Sequence, residues 1–388
     1  MKDCSEGREK FNMNFLYSMI NKDTIFLNIA DLFYPDKSLD EFINPFLLDI
    51  IGKDNITSYE YFEGNPELRE KISRKVSKKS GLDLEENNVL ITNGAIEALL
   101  LTIISLFDKG DEIITIDPSY NKNFTIPGAL SLNLVTVESN PEENFKLPIE
   151  GIEASINQKT KGIIITNPNN PTTRVYSYKE LKELSDLAKK HDLYIVSDQA
   201  YEDIIYEDYE LTYISAIEGM LDRTITISSA SKGYGLSGFR VGWLYSSKDN
   251  IEKIKKTMSL CFGASNTLAQ KLMIKVIDCD EIMERNKSIL KRRRDYFYNK
   301  ISELNKVKMI KPMAGFYAWL NVLELGDSEE VALKILKEKN ILVNPGTYYG
   351  PKAKGYIRVI YGAYKSDEKI FSYIDQIVEV LKSLELNN

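Results

Sequence analysis

The chain has 388 residues, a formal net charge of −7, 43% hydrophobic and 28% charged residues. That length is ample for a large core and usually means two domains of about 100–200 residues each, while the ordinary composition excludes a disordered or fibrous protein. The mild acidity, pI ≈ 5.2, gives no global attraction to nucleic acid or anionic membranes, so neither is expected as a partner.

Read in chain order, the N-terminal MKDCSEGREKFNMNF is too polar for the apolar core of a secretory signal. NVLIT (88–92) predicts a strand and GAIEALLLTIISLF a helix that turns from amphipathic to buried. The apolar part of that helix is half the ~20 residues a membrane span needs, and charges lie beyond both ends. DEIITI and KGIIIT (161–166) predict further strands, the second nearly apolar throughout. YKELKELSDLAKKH follows with Leu181, Leu184 and Leu187 on one helical face. LYIVSD (193–198), RTITISSAS (223–231) and RVGWLYS (240–246) continue the alternation. Apolar strands separated by helices imply a largely parallel sheet buried on both faces, an α/β class with right-handed crossovers. Past residue 250 the pattern changes to long charged helices, then a smaller α/β segment ending in YIRVIYG and a C-terminal helix. KRRR (291–294) lies inside a helical stretch and reads as a solvated face, not a nucleic-acid patch. The boundaries implied are a large domain over 45–280 and a small domain combining 1–44 with 281–388.

Two counts narrow the chemistry. Cys4, Cys261 and Cys279 lie far apart and form no CxxC pair, which argues against disulfides or a cysteine zinc site and fits a reducing cytoplasm. The single histidine, His191, sits where a helix hands over to a strand, a position that suits a dipole partner. Histidine–carboxylate triads and multi-histidine metal sites are therefore not expected, and no metal is. Lysine becomes the candidate proton carrier.

GYGLSG (233–238) matches G-x-G-x-x-G after a strand, but a dinucleotide fingerprint must open a helix, and a strand follows here. The same segment, SASKGYGLSGFRVGW, places Lys232 at a strand end among small residues with Arg240 eight positions on. A crowded lysine loses basicity and can form a Schiff base, and a nearby arginine can grip a phosphate. VLITNGAIEALLL puts Gly94 between strand and helix, so the N–H groups of Gly94, Ala95 and Ile96 can face an anion. Asp198 ends a buried strand, with Tyr201 three residues later; NPNNPTT forms a turn at another strand end. Each alone fits an ordinary turn, cap or surface lysine.

Together and in this order, these segments resemble the fold-type-I pyridoxal-phosphate enzymes, in particular the class I and II aminotransferases, over about residues 27–385. The resemblance implies an aspartate-aminotransferase-like fold, a seven-stranded type of sheet, and pyridoxal 5'-phosphate as cofactor. It implies that Lys232 is the Schiff-base lysine and catalytic base, with Ser229 and Arg240 on the cofactor phosphate. Asn170 and Tyr201 would bond the phenolic oxygen, Asp198 the ring nitrogen, and Tyr120 would plate the ring. Arg358 falls at the arginine that holds the substrate carboxylate. Tyr59, in SYEYFEGNPELRE, matches a tyrosine that reaches the neighbouring subunit's phosphate, so a homodimer with shared sites is implied. Two departures stand out. Thr173 replaces the glycine usual after Asn-Pro-Thr, and the substrate loop reads DLFYPD (31–36), with Phe33 and Tyr34 in place of small or acidic residues. The activity implied is transfer of an amino group between an L-amino acid and a 2-keto acid. The bulky loop leaves a lyase or cyclase on the same scaffold as the alternative.

Overall fold

The computed structural model describes residues 13–36, 43–53, 55–206 and 209–387. Cys4 and most of the segment read for a signal lie outside them. A two-residue strand β1 (Ile25–Phe26) precedes the strands of the main sheet: β2 (Val89–Thr92), β3 (Glu112–Asp117), β4 (Asn133–Glu138), β5 (Thr160–Thr166), β6 (Tyr194–Asp198), β7 (Thr224–Ser229) and β8 (Gly242–Tyr245). They form one seven-stranded sheet in the order β2-β8-β7-β6-β5-β3-β4. From β4 to β7 neighbours are parallel, and β8 runs antiparallel between β7 and β2. Ile163, Ile164 and Ile165 of β5 are all buried, because helices cover both faces.

Local chemistry sets the helix ends. Asn65 caps the helix Pro66–Ser80 by accepting from Glu67 and Leu68 N–H groups, and Gly81 closes it at φ 77°. Ser177 and Glu180 form a capping box at the start of Tyr178–Lys190. His191 ends that helix, its backbone N–H donating to Leu187 O at 3.0 Å. The lysines Lys189 and Lys190 precede it in the last turn.

Past the main sheet lie β9 (Lys308–Met309), β10 (Tyr317–Asn321), β11 (Ile341–Leu342), β12 (Asn344–Pro345) and β13 (Tyr356–Ile360). A four-stranded sheet runs β12-β13-β10-β9, and β1 pairs with β11. One apolar cluster joins Leu16 and Leu27 near the start of the chain to Ile335, Ile357 and Ile377 near its end. Other clusters cover the two faces of the main sheet.

The run 291–294 is not the solvated face expected. Arg293 and Arg294 are buried in the helix Asp280–Ile301. Consecutive helical residues advance about 100° each, so four of them cannot share one face. Arg293 turns inward, pairs with Asp367 at 2.7 Å, and donates to the carbonyls of Tyr361, Ala363, Tyr364 and Lys365. Its charge is spent on backbone that would otherwise be buried without donors.

Candidate active site

The carboxyl ends of the parallel strands converge on one cavity of about 330 Å³, where open α/β sheets place ligands. Asp198 is the last residue of β6 and Ser229 the last of β7; Asn170 follows β5. Lys232 comes from the turn after β7, and Arg358 from β13 on the opposite wall. Ala95, Ile96, Tyr120, Tyr201 and Arg240 also line the space. The segment 233–238 leads through a short 3-10 turn into β8 and opens no helix.

Lys232 Nζ donates to the Ala30 carbonyl and lies 5.8 Å from the centre of the Tyr201 ring. Asp198 accepts from Ala200 N–H at 3.0 Å. Burial pushes its carboxyl up to about 6, against the opposing pull of that N–H and the Lys232 charge. A carboxylate so placed is costly until a cation meets it. Tyr120 and Tyr201 are held above the ordinary phenol range, burial being the first cause in both. Tyr201 also packs edge-on against Phe316 and Tyr317, at 5.7 and 5.1 Å between ring centres, which leaves its ring little rotational freedom.

Arg240 stands at the amino end of the helix Ala95–Leu106, donating to Asn93 O at 3.2 Å and Ser237 O at 3.0 Å. Gly94 is required there twice over. Its φ is 89°, and a Cβ would lie 2.4 Å from an Arg240 guanidinium nitrogen. Gly242 is as confined, since its Cβ would lie 2.5 Å from the Gly94 carbonyl carbon. Bare backbone, a helix amino end and a guanidinium thus meet at one corner, as an anion requires.

Arg358 is buried and donates to Asn170 Oδ1 at 2.8 Å and to Asn28 O at 2.9 Å. It lies 4.8 Å from the Tyr349 ring centre and 5.4 Å from that of Tyr317. Two buried hydrogen bonds and two aromatic walls fix its planar fork.

Phe33, Tyr34 and Tyr59 are not brought into the cavity. Phe33 adopts φ 61°, donates its N–H to Gly362 O, and faces Arg293 at 5.7 Å from its ring centre. Tyr34 packs edge-on against Phe26. The loop wall of the cavity is instead Asn28, Ile29 and Ala30. Tyr59 is 95% exposed. Thr173 takes the positive φ, 63°, at which glycine is usual, a strained choice for a β-branched residue. Its hydroxyl accepts from Met313 N–H at 3.4 Å. Tyr17, Lys122, Asn344, Tyr348 and Tyr349 line the cavity without having been anticipated. Of these, Asn344, Tyr348 and Tyr349 carried a signal, lying in a Pro-Gly turn just before the strand of Arg358.

Residues 36–377 match the family model described as "Aminotransferase class I and II". The chain belongs to that family. A probable aspartate aminotransferase of Methanocaldococcus jannaschii is 35% identical over 334 residues, covering 83% of this chain and 86% of that protein. Aromatic-amino-acid aminotransferase 2 of Thermococcus litoralis is 29% identical, covering 91% of each. The solved aromatic aminotransferase from Pyrococcus horikoshii superposes with a TM-score of 0.87 at 26% identity, over 97% of this chain and 100% of that one. This chain is accordingly an aminotransferase of the aspartate-aminotransferase-like fold. Among the described residues no helix is long and apolar enough to cross a membrane.

Proposed function

We propose that the cavity binds pyridoxal 5'-phosphate and moves the amino group of an L-amino acid to a 2-keto acid, with Lys232 as the covalent and proton-carrying residue. The observation that carries this is one cavity lined by the Lys232 amine, the buried Asp198 carboxylate, and Arg240 and Arg358. The residues fit the group. Gly94 leaves room that a side chain would fill beside Arg240, which suits a phosphate together with Ser229. Asp198, costly as a bare anion, suits a protonated pyridine nitrogen, and Tyr120 offers the ring a face. Asn170 and Tyr201 are the donors for a phenolic oxygen.

When bound, the cofactor supplies an electron sink for the bond broken at the substrate α-carbon. The chain's residues do the rest. Lys232 Nζ would take the α-proton and hold it for delivery away from the α-carbon, while Arg358 would grip the α-carboxylate and so fix which bond faces the lysine. Asn170, already bonded to Arg358, ties the substrate grip to the cofactor's position. The decisive test is the absorbance change of the yellow protein against a panel of amino acids, with and without keto acid. Turnover that needs no keto acid would overturn transamination.

Gly94→Ala is expected to weaken cofactor binding at least about tenfold, since the added methyl displaces Arg240 and strains φ. Equilibrium dialysis with pyridoxal 5'-phosphate measures it, and unchanged affinity would move the phosphate elsewhere.

The chain is proposed to act as a homodimer in a reducing cytoplasm, its large domain spanning 45–280 and its small domain 1–44 with 281–388. The free Cys261 and Cys279 suit that compartment. Tyr59, Tyr61, Phe62, Leu260 and Phe262 are all exposed. Ser58 and Asn93 are tied to Thr267 and Asn266, which brings this apolar surface to the rim of the Gly94 corner. Such a patch is what a second subunit covers. Light scattering should report twice the 44.4 kDa chain mass. Mixing Lys232→Ala with a weakened Tyr59→Phe variant should give hybrids with one site free of both lesions and activity above either parent. No gain, despite verified subunit exchange, would rule a shared Tyr59 out.

A further inference from the structure

Behind the turn that carries Lys232 lies a buried cluster of charge. Asp203 accepts from Lys79 Nζ at 2.7 Å and lies 3.4 Å from Lys75 Nζ, with its own side chain 3% exposed. The two lysines stand four residues apart on the helix Pro66–Ser80, hence on one face of it. Gly233, the neighbour of Lys232, presses on the carboxylate: a Cβ there would lie 2.5 Å from Asp203 Cβ and 2.8 Å from its Oδ2. Lys75 Nζ also donates to the Tyr234 hydroxyl, which in turn donates to Ile277 O at 2.8 Å. Asn286 Nδ2 donates to Gly233 O at 3.0 Å. Glu202 accepts from the hydroxyls of Ser228 and Tyr213. Lys75, Lys79, Glu202 and Asp203 do not line the cavity.

Burial works to raise the Asp203 carboxyl, and the two lysines outweigh it, so Asp203 is held ionised. Burial and the neighbouring Asp203 charge both push Glu202 the other way. The cluster therefore combines two cations with one firm anion directly under the Lys232 turn. On the cavity side Lys232 faces the Ala30 carbonyl, Asp198, Tyr120, Tyr201 and the cations Lys122, Arg240 and Arg358. Buried charges are weakly screened. A change of one charge behind the turn therefore moves a titration in front of it, with the sign of the charge setting the direction.

We propose that Asp203 is a positioning residue for Lys232: clamped by Lys75 and Lys79, it holds the 232–235 turn from behind and supplies the negative charge that helps keep the Lys232 nitrogen protonated. The proposal rests on Lys232 being the cofactor lysine. Charge and structure make opposite forecasts. Asp203→Asn leaves two uncompensated lysines and lowers the pH midpoint at Lys232. Lys79→Met removes one of the two cations, leaves Asp203 balanced by Lys75 alone, and so raises that midpoint. A purely structural role moves both variants the same way.

The test is a pH titration of the visible absorbance of the full chain with pyridoxal 5'-phosphate bound. Asp203→Asn should lower the midpoint by up to about one unit and the partly exposed Lys79→Met raise it by less, with the double variant between the two. Shifts of the same sign, or none, overturn the proposal. Should Asp203→Asn not fold, Lys79→Met still decides, because the Lys79 side chain is 35% exposed and an unmoved midpoint there is enough to reject it. Borohydride reduction of the unaltered protein separates the two levels. An adduct on a different lysine sinks both readings, whereas an adduct on Lys232 with unmoved midpoints sinks only the role of Asp203.

Discussion

Lys232→Ala is expected to lower transamination by about a thousandfold or more, because in the proposed reaction one nitrogen would serve as both covalent anchor and proton carrier. The described cavity has no substitute in the right place. Lys122 also lines it but comes from the helix Lys122–Ala129, next to Tyr120 rather than at the end of β7. Lys232→Arg keeps the positive charge near Ala30 O and Asp198 yet offers no amine that can be deprotonated, so it should be as inactive as alanine. Recovery of activity in Lys232→Arg would show that charge alone matters. In the unaltered protein, borohydride reduction and peptide mapping should place the pyridoxyl group on Lys232. A second measurement guards against misfolding: both variants should still bind pyridoxal 5'-phosphate at Arg240 and Tyr120, detectable by dialysis although no covalent link forms.

The strand-end residues were legible because their chemistry is local. An apolar run such as that of β5 announces a buried strand, and the residues after it must turn at the sheet's carboxyl end. Short-range pattern therefore places Lys232, Asp198 and Asn170 at strand ends on the cavity side, while their roles come only from the family resemblance. Tyr17, Asn28 and Tyr349 lie at the two ends of the chain and meet there only through tertiary packing, which no local period encodes. Phe33 and Tyr34 illustrate the converse. Their position in the sequence pointed at substrate, but the left-handed Phe33, bonded to Gly362 O, packs its ring on the apolar cluster of the small sheet, and Tyr34 packs on Phe26. The arginines at 293 and 294 are buried for a related reason. A charge run looks solvated until its partners are known: the carbonyls near 361–365 for Arg293, and Asp295 with the Tyr206 ring for Arg294.

Asp198→Asn should separate stability from function. In the cofactor-free protein burial holds the Asp198 carboxyl at about 6, against 3.8 for an exposed one. A raised carboxyl means the folded chain binds more protons than the unfolded chain between roughly pH 4 and 6, so stability falls as pH climbs through that window. Above it the buried anion costs about 3 kcal/mol, two pH units at 1.36 kcal/mol each. Asparagine keeps an acceptor for Ala200 N–H and carries no charge. Cofactor-free Asp198→Asn should therefore melt higher than the unaltered chain at pH 7.5, with the gap closing toward pH 4. With cofactor present the carboxylate gains its cation, and the advantage should shrink or reverse. Turnover should meanwhile fall about a hundredfold or more, since on the proposed reading a ring nitrogen would lose the charge that keeps it protonated. Calorimetry at the two pH values, with and without cofactor, gives the first set of results and single-turnover kinetics the second. A variant that melts no higher at pH 7.5 and turns over normally would reduce Asp198 to a turn residue bonded to Ala200. A more stable but inactive variant would mean that the chain tolerates a buried charge at this position because the reaction needs it.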